Sequence, residues 1–256
     1  MSERALVDAY RQGGAGVRFD WGPSGADALG GDDGAIVIVD TLSFTTSVSV
    51  ATGRGIGIIP YPLEESGAAA LAAAHRAALA VPRAELSPEH PWSLSPASLL
   101  AAPYTARLVL PSPNGSAIAS ARAEAGQLVL AGCLRNPSAT SSWLTDHGYG
   151  TAQRPVSVIA AGERWPDGSL RPALEDYLGA GVLIGRLRDA GCVLSSEAGV
   201  AAASFDATPD LAATLRACAS ARELAMRGFP DEVEIAAALD ADAHASVLRG
   251  AVFARS

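Results

Sequence analysis

No lysine occurs in this chain: all nineteen basic residues among its 256 are arginine. A lysine Schiff base, a lysine general base and the Walker-type phosphate loop, which rests on that residue, are therefore excluded. Cysteine is scarce. Cys133, Cys192 and Cys218 are odd in number, far apart and outside any CxxC or Cys/His cluster, which argues against a disulfide scaffold and a zinc site. Only Cys133 follows an apolar strand-like run, where a thiol at a cleft could react. Long apolar runs are missing too; none approaches the ~20 residues of a membrane span. Met1 to Val7 lacks a basic-then-apolar leader, so a soluble cytoplasmic protein is expected. A net charge of −8 argues against broad affinity for nucleic acid or anionic membrane. It leaves small anionic substrates open, because they sense only a local field. His75, His90, His147 and His244 form neither an HExxH pattern nor a hydrolase nucleophile elbow. His147 is expected to complement a helix C-terminus.

What the sequence does contain is a globular balance of 49% hydrophobic and 18% charged residues. That length supports one large α/β domain, 1–256, or two closely joined halves, 1–105 and 106–256. Ala35 to Thr46 is the most telling stretch. Ala35-Ile-Val-Ile-Val is apolar throughout, ends in Asp40, and passes through Thr41 to Thr46 into a helical pattern. Such a run reads as a parallel strand buried on both faces. Ligands of open α/β sheets gather outside the carboxyl ends of these strands. Read locally, Asp40 is either a helix cap or a ligand for a cation beside free helix N–H groups.

Strand, small-residue turn and helix then recur. Strands are expected at 55–60, 107–110, 127–131 and 155–161, and helices at 47–53, 64–80, 117–125 and 137–147. Further helices are expected from Ala173, at 211–226 and at 231–238. The pattern implies a three-layer fold, a mostly parallel sheet with helices on both faces. The short 53–60 connection points to a mixed sheet. Pro-rich residues 84–103 read as a lid or a crossover.

The four main turns should open on one rim. Asn114-Gly115-Ser116 offers amide and hydroxyl donors, or simply a turn and cap. Arg135-Asn136 follows another strand, with the planar fork that suits oxyanions. Glu163 and Arg164 follow a third, and Glu175-Asp176 opens the next helix. Converging carboxylates are costly unless a cation neutralises them. Oxygen-only ligands point to magnesium rather than zinc.

In order and spacing, Ile36 to Asp40, Thr45-Thr46, Pro60, Ser95-Pro96, Asn114-Gly115-Ser116, Gly132 to Asn136, Ala160 to Gly162, Glu175-Asp176 and Gly228 to Asp240 resemble the 2-phosphosulfolactate phosphatase (ComB) family. The resemblance implies a magnesium-dependent phosphomonoesterase, α/β in fold, that converts 2-phosphosulfolactate to sulfolactate and phosphate. It also implies a place in coenzyme M or sulfolactate formation, and a homodimer. Asp40, Glu175 and Asp176 would then hold Mg2+. Thr45, Thr46, Asn114, Gly115 and Ser116 would bind phosphate, with Asn136 on the same rim. Arg135 with Arg164 or Arg171 would neutralise the substrate, and Glu163 would serve as base. One departure stands out. Family members commonly carry Arg-Ala-Thr-Thr where this chain has Ser43-Phe44-Thr45-Thr46. Arg164 or Arg171 would replace the missing charge. The alternative is a non-catalytic, anion-binding or regulatory member. Leu42 excludes the haloacid-dehalogenase pattern, which requires a second Asp there.

Overall fold

Five residues, Ala35–Val39 (β2), are buried on both sides. Ile36 and Ile38 join one apolar cluster, and Ala35, Val37 and Val39 join another. That is the pattern of a strand sandwiched between helix layers. The computed structural model describes residues 9–31, 33–63 and 65–256. Glu64, expected to help open a helix, and the leader region Met1 to Val7 lie outside the described residues.

Leu128–Gly132 (β6) and Val156–Ala160 (β7) flank β2, both parallel to it, and Val17–Trp21 (β1) extends the group beyond β7. A second parallel group contains Gly57–Pro62 (β3), Ala78–Leu79 (β4) and Arg107–Ser112 (β5). The hairpin Ser246–Arg249 (β10) and Val252–Arg255 (β11) joins the two groups, with β10 antiparallel to β6 and β11 antiparallel to β3. Among the described residues the sheet has nine strands, in the order β1-β7-β2-β6-β10-β11-β3-β5-β4. A separate two-stranded ribbon pairs Glu163–Arg164 (β8) with Leu170–Arg171 (β9).

The sheet is therefore mixed, and the reason is the C-terminal hairpin rather than the 53–60 connection. Three successive antiparallel pairings reverse β3, β5 and β4 relative to β2. The expectation of four turns on the rim of one parallel sheet needs correction, since the turn after β5 comes from the opposed group. Right-handed twist of roughly 20–25° per strand accumulates to about 100–125° over the five steps from β2 to β5. Twist of that size swings the two carboxyl ends toward each other.

Phe44–Gly53 (α2) and Gly115–Glu124 (α5) cover one face, packing with Ile36, Ile38 and Leu110. Gly22–Leu29 (α1) joins them through Ala26 and Leu29. Leu174–Asp189 (α7), Ser196–Asp206 (α8) and Pro137–Asp146 (α6) cover the other face, with Leu183, Ala198 and Leu144 against Val37 and Val158. These are the three layers expected.

The Ala-rich helix is shorter than the sequence suggested. Ala68–His75 (α3) stops where Arg76 turns left-handed at φ 50°, and β4 follows. The 84–103 span holds a short helix, Pro96–Ala101 (α4), capped by Ser95 Oγ accepting from Ser98 N. Trp92 packs against the core and donates to the Pro103 carbonyl. The single helix expected at 211–226 is two, Leu211–Ala217 (α9) and Ala219–Met226 (α10), broken at extended Cys218. Pro230–Ala237 (α11) packs beside them, with Leu215, Ala221 and Val233 in one cluster. No helix among the described residues is long and apolar enough to cross a membrane.

Candidate active site

Asp40 leaves the end of β2 and is 6% exposed. The turn that follows is sealed by its own hydroxyls. Thr45 Oγ1 accepts from Asp40 N at 3.0 Å and donates to the Asp40 carbonyl at 2.9 Å. Thr46 Oγ1 donates to the Thr41 carbonyl at 2.8 Å. Both threonines are completely buried. They shape the loop that carries Asp40, and their hydroxyls turn to backbone rather than to a phosphate.

The Asp40 carboxylate is gripped from two sides. Gly115 N donates to Oδ2 at 2.7 Å, and Phe44 N donates to Oδ1 at 3.3 Å. Gly115 is required by crowding. A Cβ there would stand 2.7 Å from Asp40 Oδ2 and 2.6 Å from Phe44. Ser116 looks inward, donating to the Tyr61 and Ser112 carbonyls. From the 114–116 motif only Asn114 faces open space.

Glu175 and Asp176 occupy the first turn of α7 and are nearly fully buried. Asp176 fastens two turns together: Thr41 N donates to Oδ1 at 2.7 Å and Gly162 N to Oδ2 at 2.9 Å. Thr41 Oγ1 also donates to the Glu175 carbonyl, and the Cys218 thiol donates to Glu175 Oε2. Glu163, at the start of β8, accepts from Asn114 Nδ2 at 3.1 Å. Arg164 reaches the other end of the same amide, 3.4 Å from Oδ1. Arg171 donates to Ser220 Oγ and lies over Trp165.

Electrostatics ties these acids together. Burial, opposed by the two N–H donors, raises Asp40 to about 6, and Glu175 adds to the rise. Burial and then the charges of Asp40 and Glu175 lift Glu163 to about 7, against the pull of Arg171 and Asn114. Asp176 is raised well above the ordinary carboxylate range by burial and by Asp40 and Glu175. So the sequence-predicted Asp40, Glu163, Glu175 and Asp176 do meet.

A cavity of about 780 Å³ opens beside them, and Asp40, Asn114 and Glu163 line it. Glu175 and Asp176 stand behind that wall. Arg135 and Asn136 do not contribute to the lining. Arg135 donates to the Ile235 carbonyl, and Asn136 folds its own turn, accepting from Cys133 N and donating to the Ala131 carbonyl. Cys133 is buried away from the cavity lining, and burial pushes its thiol up to about 11. His147 caps the end of α6 through the Trp143 carbonyl, as expected.

The profile of the 2-phosphosulpholactate phosphatase family matches residues 27–250. The chain belongs to that family. It is accordingly a phosphoric monoester hydrolase, and its large mixed sheet clothed in helices is consistent with the family's α/β fold. No curated protein matches the chain in a sequence search. Within this phosphatase the acid cluster suits a hard cation, since every donor is a carboxylate oxygen. Among the described residues, no group of three or more His, Cys, Asp or Glu side chains is placed to hold a metal ion, so Asp40, Glu175 and Asp176 do not form the three-ligand site expected of them.

Sequence reasoning missed a second group on the cavity wall. Arg83, Arg227 and Phe229 line it together with Ser43. Arg83 forks onto buried Glu232, Nε to Oε1 at 3.0 Å and Nη2 to Oε2 at 2.7 Å, and Nη2 also donates to Ser43 Oγ at 2.9 Å. Nothing local in residues 80–85 marks this role. The only signal was the Ser at position 43, where a cation had been expected.

Proposed function

We propose that this phosphatase uses Mg2+ to hydrolyse 2-phosphosulfolactate, or a closely similar phosphorylated hydroxy acid, to the hydroxy acid and phosphate. The observation that carries this reading is the meeting of Asp40 with Glu163 and Glu175, far from it in sequence, beside a cavity large enough for such an ester, with the Asn114-Gly115 turn bonded to both Asp40 and Glu163. Asp40 and Glu175 would hold the ion, with Asp176 bracing the turns that present Asp40. When bound, magnesium supplies charge neutralisation at the phosphoryl oxygens and polarises phosphorus toward attack.

The chain's own residues do the rest. Gly115 N–H and Phe44 N–H fix the Asp40 carboxylate, so little reorganisation is needed when substrate arrives. Asn114 orients Glu163 through its amide. Glu163, which burial pushes up to about 7, is suited to take a proton from an attacking water at neutral pH, while the alkoxide departing on the opposite side of phosphorus takes its proton from solvent. Arg164 steadies Asn114 from the rim. A homodimer is part of the same proposal.

The test is phosphate release from 2-phosphosulfolactate and phospholactate, with magnesium and then with EDTA. Magnesium-dependent turnover that disappears in Asp40→Asn is the expected result. Undiminished turnover after exhaustive chelation would overturn the metal assignment, and absence of turnover on both esters would overturn the substrate assignment.

A further inference from the structure

The cavity has two chemically different ends. Asp40, Glu163 and Asn114 form an acidic, amide-bearing end, while Arg83 and Arg227 lie on the wall with Ser43 and Phe229. A monophosphate alone needs only the first. The second is built with some care. The Arg83 side chain is 21% exposed, and its ion-pair partner Glu232 is 2% exposed. Three contacts fix the guanidinium: the Glu232 fork, the Ser43 hydroxyl and the Phe229 ring 5.5 Å beneath Cζ. Its Nε and Nη2 edge is thereby used up. The Nη1 group has no hydrogen-bond partner among the described residues and belongs to a side chain on the cavity wall.

A guanidinium held this way is a planar donor whose rotamer entropy is already lost before ligand arrives. Charge-assisted hydrogen bonds from such a group favour carboxylate or sulfonate oxygens over neutral ones. The two sequence-based candidates for this task stand at the acidic end instead, where Arg171 pulls on Glu163 and both arginines bond to residues of that wall. Arg164 holds Asn114, and Arg171 holds Ser220 and stacks on Trp165.

We infer that Arg83 is a specificity-determining residue: its Nη1 group receives a second oxyanion, carboxylate or sulfonate, on the same substrate molecule whose phosphate meets the Asp40 end. Glu232 is its positioning residue. This assignment rests on the phosphatase reading above and names the part of the substrate that reading leaves open. It also gives Ser43 a purpose, since a small hydroxyl leaves room for the incoming guanidinium and bonds to it.

The experiment compares wild type, Arg83→Gln, Arg83→Lys and Glu232→Gln on two substrates. One is 2-phosphosulfolactate, which carries extra oxyanions, and the other is a simple alkyl monophosphate with no charged group besides its phosphate. Thermal midpoints report folding, and sulfolactate binding by calorimetry provides a readout independent of turnover. The expected result is a kcat/KM loss in Arg83→Gln that is at least tenfold larger on the anionic substrate than on the alkyl ester, with partial recovery in Arg83→Lys. Sulfolactate binding should weaken at least tenfold in Arg83→Gln. Glu232→Gln, which keeps the cation but loosens it, should lower the same selectivity ratio.

Equal losses on both substrates, or unchanged sulfolactate binding in folded Arg83→Gln, would overturn the inference. Failure of wild type to release phosphate from either ester would instead count against the phosphatase reading, and sulfolactate binding would still decide the role of Arg83. Release of phosphate by a wild type that binds no sulfolactate would leave the phosphatase reading standing and overturn the assignment to Arg83.

Discussion

Glu163→Gln should make the metal-free protein more stable at pH 8 while removing most of its activity. A buried acid raised from 4.5 to about 7 favours its protonated form in the folded state. Folding therefore carries no penalty from this group below pH 4.5. The penalty grows between 4.5 and 7 and is complete above 7. That rise corresponds to at most about 3 kcal/mol, and the group's partial contact with solvent reduces it to roughly 1–3 kcal/mol. Glutamine keeps an acceptor for Asn114 Nδ2 but carries no charge. Urea unfolding in EDTA at pH 5 and pH 8 measures the effect. Wild type should lose stability between the two values, and Glu163→Gln should lose less. The slope remaining in the variant belongs to Asp40 and Asp176, which burial also raises. Magnesium should restore wild-type stability at pH 8 by binding the ionised cluster. The reasoning is refuted if the variant unfolds more readily than wild type at pH 8, or if its pH slope is unchanged.

Gly115→Ala should lower kcat/KM by more than about 100-fold, because a methyl 2.7 Å from Asp40 Oδ2 must displace the carboxylate or its loop; steady-state kinetics on the folded variant checks this. Asp176→Asn should cost about 1–3 kcal/mol in denaturant unfolding, since an amide NH2 would face one of the two N–H donors that now grip the carboxylate. In contrast, Arg216→Ala should change stability by less than about 1 kcal/mol in the same assay, because both members of the Arg216–Glu234 pair are more than half exposed.

The parts of this molecule that could be read from sequence are those governed by local pattern. Ala35–Val39 announces itself as a doubly buried strand, and Asp40 after it lies at the cavity. Strands 107–112, 128–132 and 156–160 followed by helices were legible for the same reason. Strand β1, helices α1 and α8 and the hairpin of β10 and β11 were not anticipated. The hairpin strands have four residues each, and their partners β6 and β3 lie more than a hundred residues away. The break at Cys218 was equally hidden, since sulfur is a weak cap and no Gly or Pro marks the spot.

At the site, charge convergence was visible while hydroxyl direction was not. Thr45, Thr46 and Ser116 have the composition of phosphate binders, yet each finds a backbone carbonyl four or more residues away, within its own loop or on a neighbouring strand. Arg83 and Glu232 are separated by 149 residues, and no pattern in one strand or helix foretells that they meet.

The antiparallel hairpin at the middle of the sheet has a further consequence for handling this protein. Removing residues 246–255 would strip the partners from β6 and from β3 and expose two apolar borders at once, one carrying Val129 and Leu130 and the other Ile58. Unpaired backbone beside such side chains is a template for intermolecular strand pairing. Shortened versions should thus precipitate or form fibrils rather than yield two separate soluble pieces.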